Sequence, residues 1–241
     1  MEWLMSKTGR GRDKKPQTPT PPEEPKLFLE QQYLGAQIID FDIREVVRLP
    51  KGLDLSEWLG SNTLEIFNNV NVIYGVTSHE SCTNETCPNM SAPGNTQYFW
   101  YDDKGKKVKV TAPQYIHYAM SFIQNHITDE TVLPTRYGHV FPSDFEQLIQ
   151  RIVKLLFHVF AHIYHAHYEL LLHFELHRHL NTLFSQMVAF CQEFRLLEAR
   201  DYAVLDDLIQ ALGLNSVNNA KGSGAAAAGT SAAANNASGS A

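Results

Sequence analysis

Cysteine is scarce in this chain, and long apolar runs are missing. Only three of its 241 residues are cysteine, and so small an odd number without an export signal indicates reduced thiols rather than a disulfide framework. No stretch has the length and apolarity of a membrane span, and the opening Met-Glu-Trp-Leu-Met is too short for the apolar region of a signal peptide. We therefore expect a cytoplasmic and nuclear protein without integral membrane association.

Positive charge is also sparse outside the first residues. Residues 1–26 carry six Lys or Arg against four Asp or Glu, whereas the remainder carries 14 against 22. An acidic body disfavours nucleic acid as a partner, because phosphate contacts need a basic face. It favours a basic partner surface, or it serves only as ordinary solubility charge.

Apolar periodicity is missing at both ends of the chain. Residues 1–26 are polar and Pro-rich, and residues 214–241 are an Ala/Ser/Gly/Asn low-complexity segment. Neither segment has the apolar surface to offset the loss of chain entropy, so we interpret 1–26 as a disordered basic arm and 214–241 as a disordered tail. Residues 27–213 remain, which is enough for one well-buried core.

Helical signals dominate this central segment. Asp54 and Glu57 form a capping-box pattern ahead of an apolar helical repeat, which we expect to stop at Gly75. Ser143 and Glu146 have the same spacing ahead of a run of over 30 residues without Pro or Gly. That run is long for one globular helix, so we expect a break after its histidines.

The segment between these two helices has the pattern of turns and short strands. A turn-rich loop leads to a short β-hairpin, with Tyr98–Tyr101 and Val108–Thr111 as its arms. Pro113 is placed to open the next helix, and Gly213 to end the last one. The predicted fold class is mainly α, a helical bundle with one small hairpin.

Two of the three cysteines lie close together on the turn-rich loop. The spacing of Cys82 and Cys87 suits a pair of thiolates that converge on one ion, as in structural zinc knuckles. Histidines crowd the most apolar helical stretch, and on a straight helix His158 and His162 share a face. Two thiolates and two imidazoles form the tetrahedral set that zinc prefers. The alternative is a histidine-rich core whose ring nitrogens have other partners.

A closed Cys2His2 sphere would leave no position for water or substrate. The chain has no His-Glu-x-x-His, no deaminase signature, no Gly-rich phosphate loop and no Gly-x-Ser-x-Gly. We therefore predict one structural Zn2+ per chain, which joins the loop to the long helix, and no enzymatic activity. A zinc-dependent hydrolase is the alternative function, and a nucleic-acid-binding zinc module is a third that the acidic body disfavours.

Several long motifs resemble the Mob kinase-activator family. They are LPKGLDLSEWLGSNTLEIFNNVNVIYG, SCTNETCPNMSA, YFWYDDKGKKVKVTAPQYIHY, LFHVFAHIYHAHY and HLNTLF. The opening MEWLM and NTQYFWYDDKGKKVKVTAPQY look most like the Mob-two subgroup. The resemblance implies the helical Mob/phocein fold with a zinc-stapled loop. It also implies a non-catalytic adaptor that regulates AGC kinases of the NDR/tricornered class and is a monomer when free.

The resemblance also implies which residues hold the zinc ion. Carried over by position, the ligands are Cys82, Cys87, His162 and His167, with His158 and His165 as rivals. An i,i+5 pair lies about 140° apart on an ideal helix, so we expect a local distortion between His162 and His167.

A kinase-binding face follows from the same resemblance. It would hold the N-terminal regulatory segment of the kinase, a basic helical hairpin. The matching positions are Ile38, Ile43, Val46, Leu53, Glu57, Trp58, Asn69, Val72, Ile73, Phe174, Glu175 and Gln186. Carboxylates suit charge-assisted contacts to Arg or Lys, and Trp58 with the aliphatic side chains supplies anchoring area. The alternative for the aliphatic residues is a core position, and Leu53 departs from family members that carry Glu there.

A second site of the family is degraded in this chain. Mob-one proteins hold phosphorylated scaffold peptides in a basic pocket on the long helix. The matching positions are Lys154, Leu155 and His158, so two fixed cations are missing, and a phosphate needs clustered Arg or Lys. We predict weak or absent phosphopeptide binding here.

Overall fold

Helices form most of the structure. The structure, a computed structural model, describes residues 26–34, 38, 41–102, 104–134, 138 and 140–214. The helices are α1 (Gln31–Leu34), α2 (Ile43–Val47), α3 (Leu55–Glu80), α4 (Ala112–Ile127), α5 (Phe145–Ala166), α6 (Tyr168–His173), α7 (His177–Glu193), α8 (Ala199–Tyr202) and α9 (Asp206–Ala211). The predicted mainly α fold class is therefore confirmed.

The predicted arm and tail lie outside the described residues except for Lys26 and Leu214. Both of these residues contact the helical body. The Lys26 ammonium lies 2.7 Å from the Asp207 carboxylate, and Leu214 is buried in the core.

The longest helix, α3, begins at its predicted cap and continues beyond its predicted end. The Asp54 carboxylate accepts hydrogen bonds of 2.8 and 3.2 Å from two backbone N–H groups of the first turn. The predicted stop at Gly75 is wrong, because the helix continues to Glu80. Its last turn buries Thr77 completely, and the Thr77 hydroxyl donates to the Tyr74 carbonyl. This packing outweighs the low helix propensity of glycine, which costs about 1 kcal/mol.

Two short antiparallel strand pairs lie between α3 and α4. The predicted hairpin is present but shorter than expected, with β3 (Trp100–Tyr101) paired to β4 (Lys107–Val108). A second pair, β1 (Met90–Ala92) with β2 (Thr96–Tyr98), was not predicted. A three-residue strand is too short to show alternation within a turn-rich stretch.

Both α4 and α5 follow a loop, but only α4 has a side-chain cap. Thr111 and Gln114 form a reciprocal capping box, and Pro113 lies in the first turn as predicted. The Ser143 cap predicted for α5 is wrong, since the helix begins at Phe145 and its N-cap residue makes no side-chain hydrogen bond. Phe145 is buried, so packing rather than capping determines where α5 starts.

Helix α5 lies at the centre of the core. It packs against α3, α4, α7 and β1, and its residues 155–164 are buried except for the half-buried His158. The predicted break after the histidines is confirmed, because α5 ends at Ala166 and α6 begins at Tyr168. Among the described helices, none combines the length and apolarity needed to cross a membrane.

The predicted C-terminal stop at Gly213 is confirmed. Gly213 has a φ of 71°, a left-handed conformation that glycine adopts without a steric penalty. The N–H groups of Gly213 and Leu214 donate to the carbonyls of Gln210 and Ile209 at 3.0 and 2.9 Å. These bonds close α9 and direct Leu214 back into the core.

Candidate metal centre

Four side chains from separate parts of the chain meet in one buried group. Cys82 lies two residues after α3, Cys87 lies on the loop before β1, His162 is on α5 and His167 lies between α5 and α6. Their ligand atoms are all within 4.8 Å of one another. Each sulfur lies 3.6 Å from one imidazole Nε2, and the two Nε2 atoms are 3.3 Å apart. The structure thus brings together the four residues that the family resemblance implied.

The junction between α5 and α6 lets His162 and His167 converge. His167 has φ −132° and ψ 10°, outside the helical range, while its backbone N–H keeps a helical hydrogen bond of 2.9 Å. This interruption is the distortion expected for an i,i+5 pair. Of the two rivals, His158 stacks on Tyr98 with ring centroids 3.7 Å apart, and His165 is exposed. Neither belongs to the buried group.

Both imidazoles of the group are oriented through their second ring nitrogen. His162 Nδ1 lies 2.8 Å from the carbonyl oxygen of Ser91 in β1. His167 Nδ1 lies 2.8 Å from the Ser81 hydroxyl oxygen. Since a carbonyl only accepts, the His162 proton belongs on Nδ1, and its Nε2 presents a lone pair to the group. Metal-ligating histidines commonly donate their other N–H in this way.

Sequence reasoning missed both of these serines. Ser91 acts through its backbone, which no residue type reveals. Ser81 does directly precede the ligand Cys82, but its contact is with a histidine that is 86 positions away. Only the fold shows this pairing.

Burial shifts the pKa of three members of the group, His162, His167 and Cys82. It lowers the pKa of His162 to about 4, and it lowers the pKa of His167 to about 4 with a contribution from His162. Burial raises the pKa of the Cys82 thiol to about 12, with Cys87 adding to the rise and a hydrogen bond with Tyr74 opposing it. The Cys82 thiol therefore needs a nearby cation to ionise at neutral pH. The group is positioned to bind a metal ion.

The residues predicted to bind a kinase divide into exposed and buried members. Among the exposed members, the apolar ones are Ile38, Val46, Leu53, Val72 and Phe174, and the polar ones are Glu57, Asn69 and Glu175. Trp58 and Gln186 are half-buried. Ile43 and Ile73 are buried, each with 8% of its surface exposed. Their burial agrees with the core alternative for these two positions.

Hydrogen bonds that involve side chains join the elements of the predicted kinase-binding face. The Trp58 indole N–H donates to the Val47 carbonyl at 2.9 Å, which ties α3 to α2. The Ile38 backbone N–H donates to the Thr182 hydroxyl of α7 at 3.0 Å, and α2 packs directly on α7. These contacts place α2, the start of α3 and α7 beside one another.

Exposed apolar side chains are concentrated between residues 38 and 55. Sequence reasoning missed Phe41, Leu49 and Leu55, which are 58%, 39% and 42% exposed. Phe41 and Leu49 flank the five-residue α2, which is too short to show a periodic pattern, and Leu55 is the first residue of α3. We call the exposed set Ile38, Phe41, Val46, Leu49, Leu53 and Leu55 the apolar strip.

The three positions predicted to form a degraded phosphopeptide pocket include one lysine, and that lysine is paired within the chain. The Lys154 ammonium lies 2.6 Å from the carboxylate of Asp201, whose side chain is only 12% exposed. Burial lowers the pKa of His158 to about 3, so its ring is neutral, and its Nδ1 lies 2.7 Å from the Tyr115 hydroxyl. Leu155 is buried. This arrangement offers a phosphate little positive charge.

Comparisons with known proteins agree with the motifs. The profile of the Mob1/phocein family matches residues 36–205. MOB kinase activator 2 of Mus musculus is 49% identical over 213 residues, which are 88% of this chain and 88% of that protein. The Homo sapiens protein of the same name is 49% identical over 213 residues, 88% of this chain and 87% of its own length. Maintenance of ploidy protein mob2 of Schizosaccharomyces pombe is 41% identical over 196 residues, 81% and 80% of the two chains.

Proposed function

The chain belongs to the Mob1/phocein family, and we propose that it is a non-catalytic regulatory subunit of a protein kinase. It binds the N-terminal regulatory region of an NDR/tricornered-class AGC serine/threonine kinase in the cytoplasm and nucleus. It modulates that kinase as a coactivator or as a competitor of other Mob proteins. The names of its relatives in mouse and human support a kinase as the partner, and the sequence motifs support the class and the region.

The observation that carries this proposal is the apolar strip. Its members leave 37% to 58% of their side-chain surface exposed within an 18-residue stretch. Exposed apolar side chains that are concentrated in one part of the chain favour a surface that a partner covers. The exposed carboxylate of Glu57 lies in the first turn of α3, beside the strip in sequence. Aliphatic anchors with a carboxylate at their edge suit an amphipathic, basic helical segment.

Binding of this kind regulates a kinase only through differential affinity. A subunit that holds the N-terminal segment more tightly in the active kinase increases the population of that state. A subunit that occupies the segment without such a preference blocks other Mob proteins instead. Both outcomes use the same surface, so the binding test comes first.

The test compares two valine variants that receive the same new charge. Val72 is 70% exposed on α3 within the predicted face, whereas Val140 is 86% exposed on the loop before α5, outside it. Val72→Asp should weaken capture of an NDR-class N-terminal segment at least 10-fold, since a desolvated charge at a hot spot costs 2 kcal/mol or more. Val140→Asp should bind like the wild type.

Two further variants probe the acidic and aromatic parts of the face. Glu57→Lys reverses the charge offered to a basic segment and should weaken binding, most strongly at low salt. Trp58→Ala should also weaken it, partly through loss of the bond that ties α3 to α2. Wild-type affinity in Val72→Asp, Glu57→Lys and Trp58→Ala together would show that the docking surface lies elsewhere.

We propose zinc as the ion of the Cys2His2 group. A tetrahedral zinc with Zn–S bonds of about 2.3 Å and Zn–N bonds of about 2.05 Å would separate sulfur from nitrogen by about 3.5 Å and the two nitrogens by about 3.3 Å. The observed separations are 3.6 Å for Cys82–His162 and for Cys87–His167, and 3.3 Å for the two nitrogens. Thiolates with imidazoles favour zinc over Mg2+ or Ca2+, which prefer oxygen ligands.

Elemental analysis tests the zinc proposal directly. Purified protein should hold about one zinc per chain, and Cys87→Ser should lose it. A cobalt-substituted sample should show the intense visible absorption of a tetrahedral site with thiolate ligands. Neither the geometry nor the relatives favour the zinc hydrolase, since two thiols and two imidazoles already account for four ligands. A sample without metal would refute the zinc proposal and leave the docking surface to its own test.

A further inference from the structure

Ser81 lies beside one of the metal-binding residues in sequence and contacts another in space. It is the C-cap residue of α3 and directly precedes Cys82. Its hydroxyl oxygen lies 2.8 Å from Nδ1 of His167. The N–H groups of Ser81 and Cys82 both donate to the Thr77 carbonyl, at 3.0 and 2.9 Å. Ser81 therefore connects the end of α3, the first thiol and the second imidazole.

The direction of the Ser81–His167 bond determines what the imidazole can do. If Nδ1–H donates to the serine oxygen, Nε2 is free to bind a metal. If the hydroxyl donates to Nδ1, the proton belongs on Nε2 and blocks that position. The Ser81 hydroxyl has a second acceptor, the Thr77 carbonyl at 3.5 Å. With its own proton directed there, the hydroxyl accepts from His167.

Different groups orient the imidazoles of His162 and His167. His162 donates to a backbone carbonyl, which no substitution of a side chain removes. His167 lies at the interruption between α5 and α6, where its backbone is not helical. Its ring therefore depends on a side chain for orientation, and Ser81 is the side chain placed to supply it.

We propose that Ser81 is a positioning residue of the metal centre, which selects the Nδ1–H tautomer of His167 and aims its Nε2 at the ion. This inference rests on the proposed zinc site. Outer hydrogen-bond partners of metal-ligating histidines typically change metal affinity about 10- to 100-fold. Ser81→Ala should therefore lower zinc affinity by about that factor, measured by competition with a chromophoric chelator.

Two variants separate this role from a general effect on α3. Ser81→Thr keeps a hydroxyl at the same position and should retain an affinity close to that of the wild type. Ser78→Ala removes a hydroxyl from the same helix, where it donates to the Gly75 carbonyl at 3.0 Å, and should leave zinc affinity unchanged. Circular dichroism at saturating zinc should show the same helical content in all three variants, because the lesion is in affinity and not in the fold.

A spectroscopic readout follows the tautomer itself. Long-range 1H–15N correlation on histidine-labelled, zinc-loaded protein should show a proton on Nδ1 of His167 that is protected from exchange in the wild type. That protection should be lost in Ser81→Ala. Equal zinc affinity and equal protection in wild type and Ser81→Ala would overturn the inference. A wild-type protein that binds no zinc would instead overturn the proposed metal site.

Discussion

Replacing Cys82 by serine should remove the ion and cost a large part of the stability of this domain. Cys82 and His162 are 80 positions apart in the chain, so the ion closes a loop of that length. The chain-entropy relation for a cross-link of this size gives about 4.5 kcal/mol at 25 °C. Single domains are stable by about 5–15 kcal/mol in total, so the variant should lose about 30% or more of its stability.

Thermal unfolding provides the assay. With an unfolding entropy of about 2.1 cal/mol/K per residue and about 180 described residues, a loss of 4.5 kcal/mol lowers Tm by about 12 °C. A strong zinc chelator should lower the Tm of the wild type by a similar amount and leave Cys82→Ser unchanged. Above the dissociation constant, each tenfold increase in free zinc should stabilise the wild type by about 1.4 kcal/mol.

The third cysteine supplies the control. Cys191 is fully buried but lies outside the metal group, so Cys191→Ala should lower Tm through lost packing and respond to chelator as the wild type does. His162→Ala added to Cys82→Ser should cost less than it does alone, because both remove the same ion. A Tm of Cys82→Ser within about 3 °C of the zinc-loaded wild type would refute the cross-link.

Three further predictions concern His158, two glycines of α3 and the positions of the predicted phosphopeptide pocket. His158 is neutral in the folded protein because burial lowers its pKa to about 3. Its contribution to the free energy of unfolding is therefore complete above pH 6.5 and falls below that pH by about 1.4 kcal/mol per pH unit. Denaturant titrations of His158→Phe should show a shallower loss of stability between pH 6 and pH 4.5 than the wild type, and equal slopes would contradict this. Gly60→Ala should destabilise the protein by about 1–3 kcal/mol, because the new Cβ would lie 2.5 Å from a leucine methyl carbon. The Cβ of Gly75→Ala would meet nothing within 4 Å, so this variant should stabilise the protein by about 0.5–1 kcal/mol. Thermal melts that fail to separate the two variants would be contrary evidence. The wild type should bind a phosphothreonine peptide weakly or not at all in fluorescence anisotropy. Leu155→Arg with His158→Arg and Asp201→Asn should gain phosphate-dependent binding, since these changes add two cations and remove the carboxylate paired with the third. Tight binding by the wild type would contradict the degraded pocket.

Local sequence signals located the helices well where the chain is exposed. The Asp54 cap, which was predicted, and the Thr111 cap, which was predicted as part of the hairpin instead, both depend on side chains that hydrogen-bond their own backbone. A few neighbouring residues therefore contain the whole signal. The start of α5 and the end of α3 are determined by burial of Phe145 and Thr77. That burial depends on residues far away in the chain, so the capping and glycine rules gave wrong bounds at both places.

The metal group shows the same division between local and distant causes. Helical periodicity favours His158 with His162, but the structure pairs His162 with His167. The family resemblance identified this pair, whereas helical periodicity did not, because no Pro or Gly marks the interruption at His167. The outer contact from Ser81 depends on the same interruption, so no local pattern could have revealed it either.

One helix connects the metal group to the proposed docking surface. Helix α3 has 26 residues and is therefore about 39 Å long. Its first turn holds Trp58, which has its own tie to α2, while its last residues lead into Cys82, which the ion would bind to α5. Val72 lies nine residues before Ser81, about 14 Å along the helix axis. We therefore expect its position to depend on the C-terminal end of α3, next to the metal group, more than the position of Trp58 does. Loss of the proposed ion should thus weaken the proposed docking surface more at Val72 than at Trp58.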